Sequence, residues 1–395
     1  MKQPFAHPMM PLATHDEAAR QNFVADLKIH MEEEVYPANK LVYEHRVRPA
    51  FYRRHQRPPR DRHEVRHAME RDPFCQAWSS IARTLQEMLW YNVGETIERQ
   101  LPDLISRAKV ADPIGSLALD GTMSIPRYNA AIDIHCMPGG YGGQVAKDDV
   151  FAGALVDRGG YYYVLPFMGY RAHGYTDTAR APYGGAAGYN ILRLLREKFP
   201  GLKPRRILDM GCGIGRGTFP YVDAFPEAEI HAVDVAAPQV RYGHARAEAF
   251  GKRIHFSQQN AERTSFPNGH FDLVVSHGLF HETSGKAVRA IVREIHRLLA
   301  PGGVTLHSDP QLGRGLDPHD AYMHDWDTYY NNEPFWGPLH DIPPKQLFGE
   351  AGFPADSVIE AWAMIDANGS PAIVPANDHD SRLNRSSLFG ARKAL

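Results

Sequence analysis

Apolar residues recur at two different spacings along this chain, and the change of spacing divides it. From residue 14 to about residue 108 the interval is helical. Phe23, Leu27 and Met31 share one face behind a Thr14 cap. Ile81, Leu85, Met88 and Leu89, then Ile97, Leu101, Leu104 and Ile105, keep the same repeat. From about 112 to 181 the periodicity fades into glycine, tyrosine and proline, as in CMPGGYGGQ and RGGYYYVLPFMGY, which predicts loops with short strands. From 183 to 309 short apolar runs at 206–210, 229–235, 253–258, 271–277 and 303–308 alternate with helical stretches. In the clearest of these, 285–300, Val288, Ile291, Ile295, Leu298 and Leu299 form one stripe stopped by Pro301-Gly302-Gly303. Such alternation predicts an α/β fold, a mostly parallel sheet with helices on both faces. An aromatic insertion at 311–341 and a short helix near 344–351 follow, then strand candidates 357–365 and 386–392 placed to close the sheet's edge as a hairpin.

The expected organisation is therefore a helical region over 1–115, a glycine- and tyrosine-rich connector or lid over 116–182, and an α/β domain over 183–395. Composition agrees with a soluble globular protein: 395 residues, 43% apolar and 23% charged. A net charge of −2 gives the whole molecule no long-range attraction to a polyanion. Cys75, Cys136 and Cys212 stand far apart, without the spacing of a disulfide framework, as expected in a reducing cytoplasm. No run of about eighteen apolar residues predicts a spanning helix, and MKQPFAHPMM lacks the apolar core of a leader.

The most informative segment is ILDMGCGIGRG, where an apolar strand enters a glycine turn that opens a helix. Its glycines, Gly211, Gly213, Gly215 and Gly217, follow a GxGxG register, and Asp209 ends the strand just before them. A carboxylate there repels a pyrophosphate and attracts an ammonium group, which favours S-adenosylmethionine over a dinucleotide. HAVDV then places Asp234 at the end of the second strand, where a carboxylate accepts from ribose hydroxyls. Asn260, Ala261 and Glu262 follow the third strand, within reach of an adenine amine.

Taken in order, ILDMGCGIGRG, HAVDV, NAERTSFPNGHFDLVVSHGLFHE and LLAPGGV resemble the motifs of class I S-adenosylmethionine-dependent methyltransferases. The resemblance implies a Rossmann-like sheet of seven strands with an antiparallel last strand. It implies cofactor contacts at Asp209, Gly211, Cys212, Gly213, Gly215, Arg216, Asp234, Val235, Asn260, Ala261, Glu262, Ser276 and His277. Methyl transfer needs alignment and exclusion of water more than covalent chemistry, and a hydroxyl or ammonium acceptor gains from a general base. His277, His281 and His307 are the candidate bases, although many family members carry a histidine matching His281 that packs or caps instead. No Asn-Pro-Pro-Tyr tetrapeptide ends the fourth strand, which disfavours base or glutamine-amide methylation. The expected acceptor is a small molecule walled by Tyr183, Asp309, Trp326, Tyr329 and Trp336.

Other features weigh less. The insertion's His319, Asp320, His324, Asp325 and Asp327 can ligate metals but read as solvated, and HEVRH at 63–67 lies in a charged stretch, so no metal site is assigned. Arginines between 46 and 71 are interleaved with acids, which favours a solvated or self-paired helical face over a nucleic-acid patch. Methylation of RNA or protein, and a non-catalytic cofactor-binding subunit, remain alternatives. A homodimer is compatible with the sequence.

Overall fold

The computed structural model describes residues 6–168, 186–310, 315–365, 371–375 and 386–395. Its centre is a nine-stranded sheet in the order β1-β4-β3-β2-β5-β6-β9-β7-β8. The strands are β1 (Ser116–Ala118), β2 (Arg206–Met210), β3 (Glu229–Asp234), β4 (His255–Gln258), β5 (Phe271–His277), β6 (Leu299–Pro310), β7 (Ile359–Ile365), β8 (Pro371–Pro375) and β9 (Ser386–Arg392). Strands β1 to β6 pair in parallel, whereas β9 runs antiparallel to both β6 and β7. The expected seven strands form the inner set, and β1 and β8 add one strand to each edge. The last two expected strands pair antiparallel, β7 with β9, and β8 adds a further strand on the far side of β7.

Central strands carry apolar side chains to both faces because helices cover both. Ile207, Leu208, Val274 and Val275 are wholly buried. On one face helix Gly285–Leu298, capped by the Ser284 hydroxyl, presses Val288, Ile291, Ile295 and Leu298 against Phe271 and Val274. Strand order reverses between β2 and β5, so the chain leaves β2 and β5 on either side of a crevice at their carboxyl ends.

The N-terminal helices pack onto this sheet domain. One apolar cluster unites Val65, Leu89, Trp90 and Tyr162 with Ile214, Tyr242 and Tyr322. Helix His15–His30 begins with the expected Thr14 cap, reinforced by Glu17. Its buried face is shifted from expectation: Met31 and Leu27 pack into the core as expected, but Phe23 is 63% exposed and Val24 and Ala25 are buried instead. The polar Gln21 shares the buried side, giving its amide to Thr96 Oγ1 (2.9 Å) and accepting from Arg158 (2.7 Å). A search for apolar spacing passes over such a face.

Helix Phe151–Met168 replaces the loops expected there. Its glycines serve close packing instead of turning. A Cβ on Gly159 would lie 2.4 Å from Trp90 Cζ3, and one on Gly153 would lie 2.4 Å from Tyr242 Cβ. All three cysteines are free and buried. Among the described residues no helix is long and apolar enough to cross a membrane.

Candidate functional site

The glycine turn after β2 is shaped by backbone conformation. Gly211, Gly213 and Gly215 have φ of 68°, 52° and 77°, a left-handed region that glycine enters without steric cost. Backbone N–H groups of Gly211 and Cys212 donate to the Val233 carbonyl at 2.8 and 3.0 Å, tying the turn to β3. Asp234 closes it, accepting from Gly213 N–H and Ala236 N–H, each at 2.9 Å. Burial raises the Asp234 pKa, with those N–H groups working against the rise.

A Cβ on Gly213 would meet only Gln239 Oε1, at 3.8 Å, and that buried oxygen has no hydrogen-bond partner. An open cradle beside an orphaned acceptor and an aspartate at the end of β3 fits the ribose and amino-acid portions of S-adenosylmethionine. Asp209, fully buried, accepts from Thr218 Oγ1 (2.5 Å), while its other oxygen lies 3.3 Å from His277 Nδ1. His277 Nε2 in turn meets Tyr221 OH at 3.0 Å. After β4, the Asn260 side chain accepts from Glu262 N–H (2.8 Å), and Glu262 accepts from Tyr128 OH (2.9 Å). Tyr128 thus reaches over the 260–262 turn from the connector, its ring edge-on to Phe335.

Two residues expected at the cofactor are turned elsewhere. Arg216 points into helix Phe151–Met168, donating to the Val156 carbonyl (3.1 Å) and to Asp157 (3.0 Å). The Ser276 hydroxyl is engaged by His307 Nδ1 at 2.7 Å. Val235 stands just past β3, half-buried, its carbonyl accepting from Gln258 at 3.0 Å.

At the mouth of β5 and β6 lies a second constellation. His135, His281, Glu282 and Glu333 are all buried, with one ligating atom from each within 4.8 Å of the others. His135 Nε2 is 3.0 Å and His281 Nε2 3.3 Å from the same oxygen, Glu282 Oε1, which also accepts from Tyr141 OH at 2.9 Å. His135 Nδ1 is 2.7 Å from Glu333 Oε1, and His281 Nδ1 is 2.7 Å from Asp309 Oδ1. Burial alone would lower the His135 pKa, but Glu333 and Glu282 push it up to about 10. His281 rises well above the usual imidazole range, burial being outweighed by Glu282 and Asp309. Burial opposes ionisation of Glu282, yet the two imidazoles hold its carboxyl well below the usual range.

The sequence candidates divide accordingly. His281 is in the cluster, with Asp309 behind it and Trp336 edge-on at 5.0 Å between ring centroids. His307 was expected to open toward the cleft, and the structure corrects that placement. It is wholly buried among Phe280, Phe348 and Phe389, with both ring nitrogens 2.7 Å from the hydroxyls of Ser276 and Thr305. Burial, with His277 nearby, lowers its pKa to about 3.

Trp326 is likewise corrected. It packs on Trp78 (5.3 Å) and donates to Ser79 Oγ (2.8 Å), anchoring the insertion to helix Pro73–Glu98 instead of lining the cleft. Tyr329 lies under the Arg66 guanidinium, 4.0 Å from its ring centroid, on the outer surface. Tyr183 and residues 311–314 lie outside the described residues. Sequence reasoning missed His135, Tyr141, Glu282 and Glu333. Only Glu282, next to His281 at a strand end, carried a local signal.

Three arginines of the arginine-rich stretch pair with nearby acids, Arg57 with Glu64, Arg66 with Glu70 and Arg46 with Asp72, whereas Arg62 reaches Asp325 and Asp341 of the insertion. Helix Arg62–Met69 is held by buried Val65 and Met69, an apolar contact not expected from its sequence.

Residues 207–303 match the family model described as a methyltransferase domain. The chain is 30% identical over 161 residues to ajmaline N-methyltransferase of Rauvolfia serpentina, covering 38% of this chain and 53% of that protein. It is 33% identical over 100 residues to demethylmenaquinone methyltransferase of Thermus thermophilus, covering 25% of this chain and 44% of that protein. It thus spans about half the length of the curated relatives it matches. Among solved structures, phosphoethanolamine N-methyltransferase 2 of Haemonchus contortus, in complex with phosphomonomethylethanolamine and S-adenosylhomocysteine, aligns with a TM-score of 0.39 at 17% identity, covering 57% of each chain.

Proposed function

We propose that this chain, whose residues 207–303 form a class I S-adenosylmethionine-dependent methyltransferase domain, transfers the cofactor's methyl group to a small-molecule acceptor. The observation that carries the reading is the link from the Gly213–Asp234 cradle to the buried polar cluster at the ends of β5 and β6: Gln239, beside Gly213, reaches the Tyr141 carbonyl (3.5 Å), and Tyr141 OH donates to Glu282 (2.9 Å). In this reading Asp209 and the glycine turn face the cofactor's ammonium end, Asp234 takes its ribose, and the Asn260–Ala261–Glu262 turn under Tyr128 takes its adenine. Bound there, S-adenosylmethionine would supply an electrophilic methyl carbon on a sulfonium, with S-adenosylhomocysteine as the leaving group.

The protein's part is positioning and exclusion of water. Tyr128, Tyr141 and Phe335 close over the crevice from the connector and the insertion, and Trp336 offers an apolar wall beside His281. The buried cluster that contains His281, Glu282 and Glu333 faces the polar end of the acceptor. The relatives named for ajmaline and demethylmenaquinone, which act on small molecules by name, support this class of acceptor.

Incubation of the full chain with methyl-labelled S-adenosylmethionine and a panel of hydroxylated and amine metabolites tests the proposal. Labelled small-molecule product, reduced in a Trp336→Ala variant, is expected. Label found only on RNA or protein would overturn it.

A further inference from the structure

We infer that His135, His281, Glu282 and Glu333 form a binding site for one divalent transition-metal ion at the acceptor end of the cleft. The four residues come from the connector, the turn after β5 and the insertion, so the fold converges three separate segments on one point. An ion bound at about 2.0–2.2 Å by imidazole nitrogen and carboxylate oxygen needs donor atoms about 3.4 Å apart in a tetrahedral site. The separations of 3.0 Å (His135 Nε2 to Glu282 Oε1), 3.3 Å (His281 Nε2 to Glu282 Oε1) and 3.9 Å (His281 Nε2 to Glu333 Oε2) bracket that spacing. Two imidazoles with two carboxylates suit zinc, iron(II), manganese or cobalt better than magnesium or calcium.

Three independent features point to an ion here. First, Glu333 Oε2 and Glu282 Oε2 are buried without a hydrogen-bond partner, and Glu333 is only 1% exposed. A buried carboxylate oxygen without a donor is costly unless something cationic meets it.

Second, three of the four ligands are oriented from behind, as metal ligands are. His281 Nδ1 is paired with Asp309 Oδ1 at 2.7 Å, and Asn331 Nδ2 donates to Glu333 Oε1 at 2.7 Å. Tyr163 OH stands 3.3 Å from His135 Nδ1.

Third, the backbone at His135 holds an uncommon conformation. His135 and Cys136 both have φ of 56°, a left-handed conformation that costs a non-glycine residue on the order of 1 kcal/mol or more. The His135 carbonyl is clamped there by Trp90 Nε1 (2.7 Å) and Gln86 Nε2 (3.0 Å).

Charge agrees. Three carboxylates, Glu282, Glu333 and Asp309, converge on the two imidazoles. Among the described residues no lysine or arginine is in ion-pair contact with these three carboxylates. The other His/Asp group, Asp317, His319 and Asp320, already has a cation: Lys40 lies 3.2 Å from Asp317 and 2.9 Å from Asp320.

Ion binding stands apart from the methyltransferase reading, whereas its consequence rests on that reading. With all four residues bound, an acceptor oxygen, nitrogen or sulfur would enter as a fifth ligand, and so select acceptors able to coordinate.

The test uses the full chain, stripped with a chelator, dialysed and titrated with Co²⁺. Uptake of one Co²⁺ per chain with a ligand-field absorption band, displaced by Zn²⁺, is expected. His135→Ala and His281→Ala should abolish it, and Glu333→Gln should weaken it at least about tenfold. Asp309→Asn, which alters no ligand, should weaken it about 10- to 100-fold, whereas Asp317→Ala should leave it unchanged. Absence of stoichiometric uptake by the wild-type chain, or uptake unaltered by His135→Ala and Glu333→Gln, overturns the site. Calorimetry with S-adenosylhomocysteine on each variant separates local from global damage. Metal uptake without S-adenosylhomocysteine binding in the wild type would retain the site and remove the methyltransferase reading instead.

Discussion

Asp157→Asn probes the joint between the N-terminal helices and the glycine turn. The Asp157 side chain is 2% exposed. Its Oδ2 meets His7 Nε2 (2.8 Å), Tyr242 OH (2.9 Å) and Arg246 Nε (3.2 Å), and its Oδ1 takes Arg216 Nη2 (3.0 Å). Asparagine can keep its amide oxygen toward the first three donors, but its NH₂ then faces the Arg216 guanidinium. The negative charge opposite the buried Arg246 is lost in either orientation. Removing one partner of a buried ion pair costs about 3–5 kcal/mol, well above an exposed pair at ~1 kcal/mol or less. The urea midpoint should therefore fall by that equivalent with the slope unchanged. S-adenosylhomocysteine should bind more weakly, because Arg216 belongs to the turn.

The same carboxylate makes the joint acid-sensitive. Burial raises its pKa, but Arg246, His7 and Arg216 hold it well below the usual carboxylate range. Its contribution is thus fully present above its unfolded pKa of about 4 and is lost as pH falls through the depressed value. The variant should lack that acid-side loss. A cost below about 1 kcal/mol with unchanged cofactor affinity would refute the reasoning.

Other consequences can be measured separately. Asp234→Ala should weaken S-adenosylhomocysteine binding about 10- to 100-fold, since each hydrogen bond to a charged group contributes about 1.5–3 kcal/mol; unchanged calorimetric affinity would contradict its assignment. His307 is held neutral, its pKa lowered from 6.5 to about 3, so stability should fall as pH drops below 6.5, by at most about 1.4 kcal/mol per unit. His307→Gln should flatten that slope in acid-denaturation curves, and an unaltered slope would count against the buried neutral ring. Trp326→Ala should cost up to about 3 kcal/mol of stability by loss of packing and leave the acceptor KM alone. Trp336→Ala should raise that KM with a smaller change in Tm, and the reverse pattern would contradict the two placements.

Local chemistry was legible in the sequence, and long-range convergence was not. Strands β2, β5 and β9 fall where the apolar runs predict them, because each is largely buried. The glycine turn was readable for a similar reason: its φ values and its capping aspartate are set within one βαβ unit. Strand β1, three residues long, is too short to register as a pattern. Helix Phe151–Met168 was hidden by glycines that mark loops in isolation and here admit Trp90 and Tyr242. His135 and Glu333 gave no signal because their neighbours in sequence are irregular, and only tertiary packing brings them to His281. Trp326 and Trp336 look alike in the insertion, yet one meets Trp78 and the other His281.

Isothermal titration of the purified chain with S-adenosylhomocysteine and, separately, with NAD measures the preference most directly. Saturable one-to-one binding of S-adenosylhomocysteine with no heat from the dinucleotide is the predicted result. Uptake of the dinucleotide with indifference to S-adenosylhomocysteine and S-adenosylmethionine would contradict it.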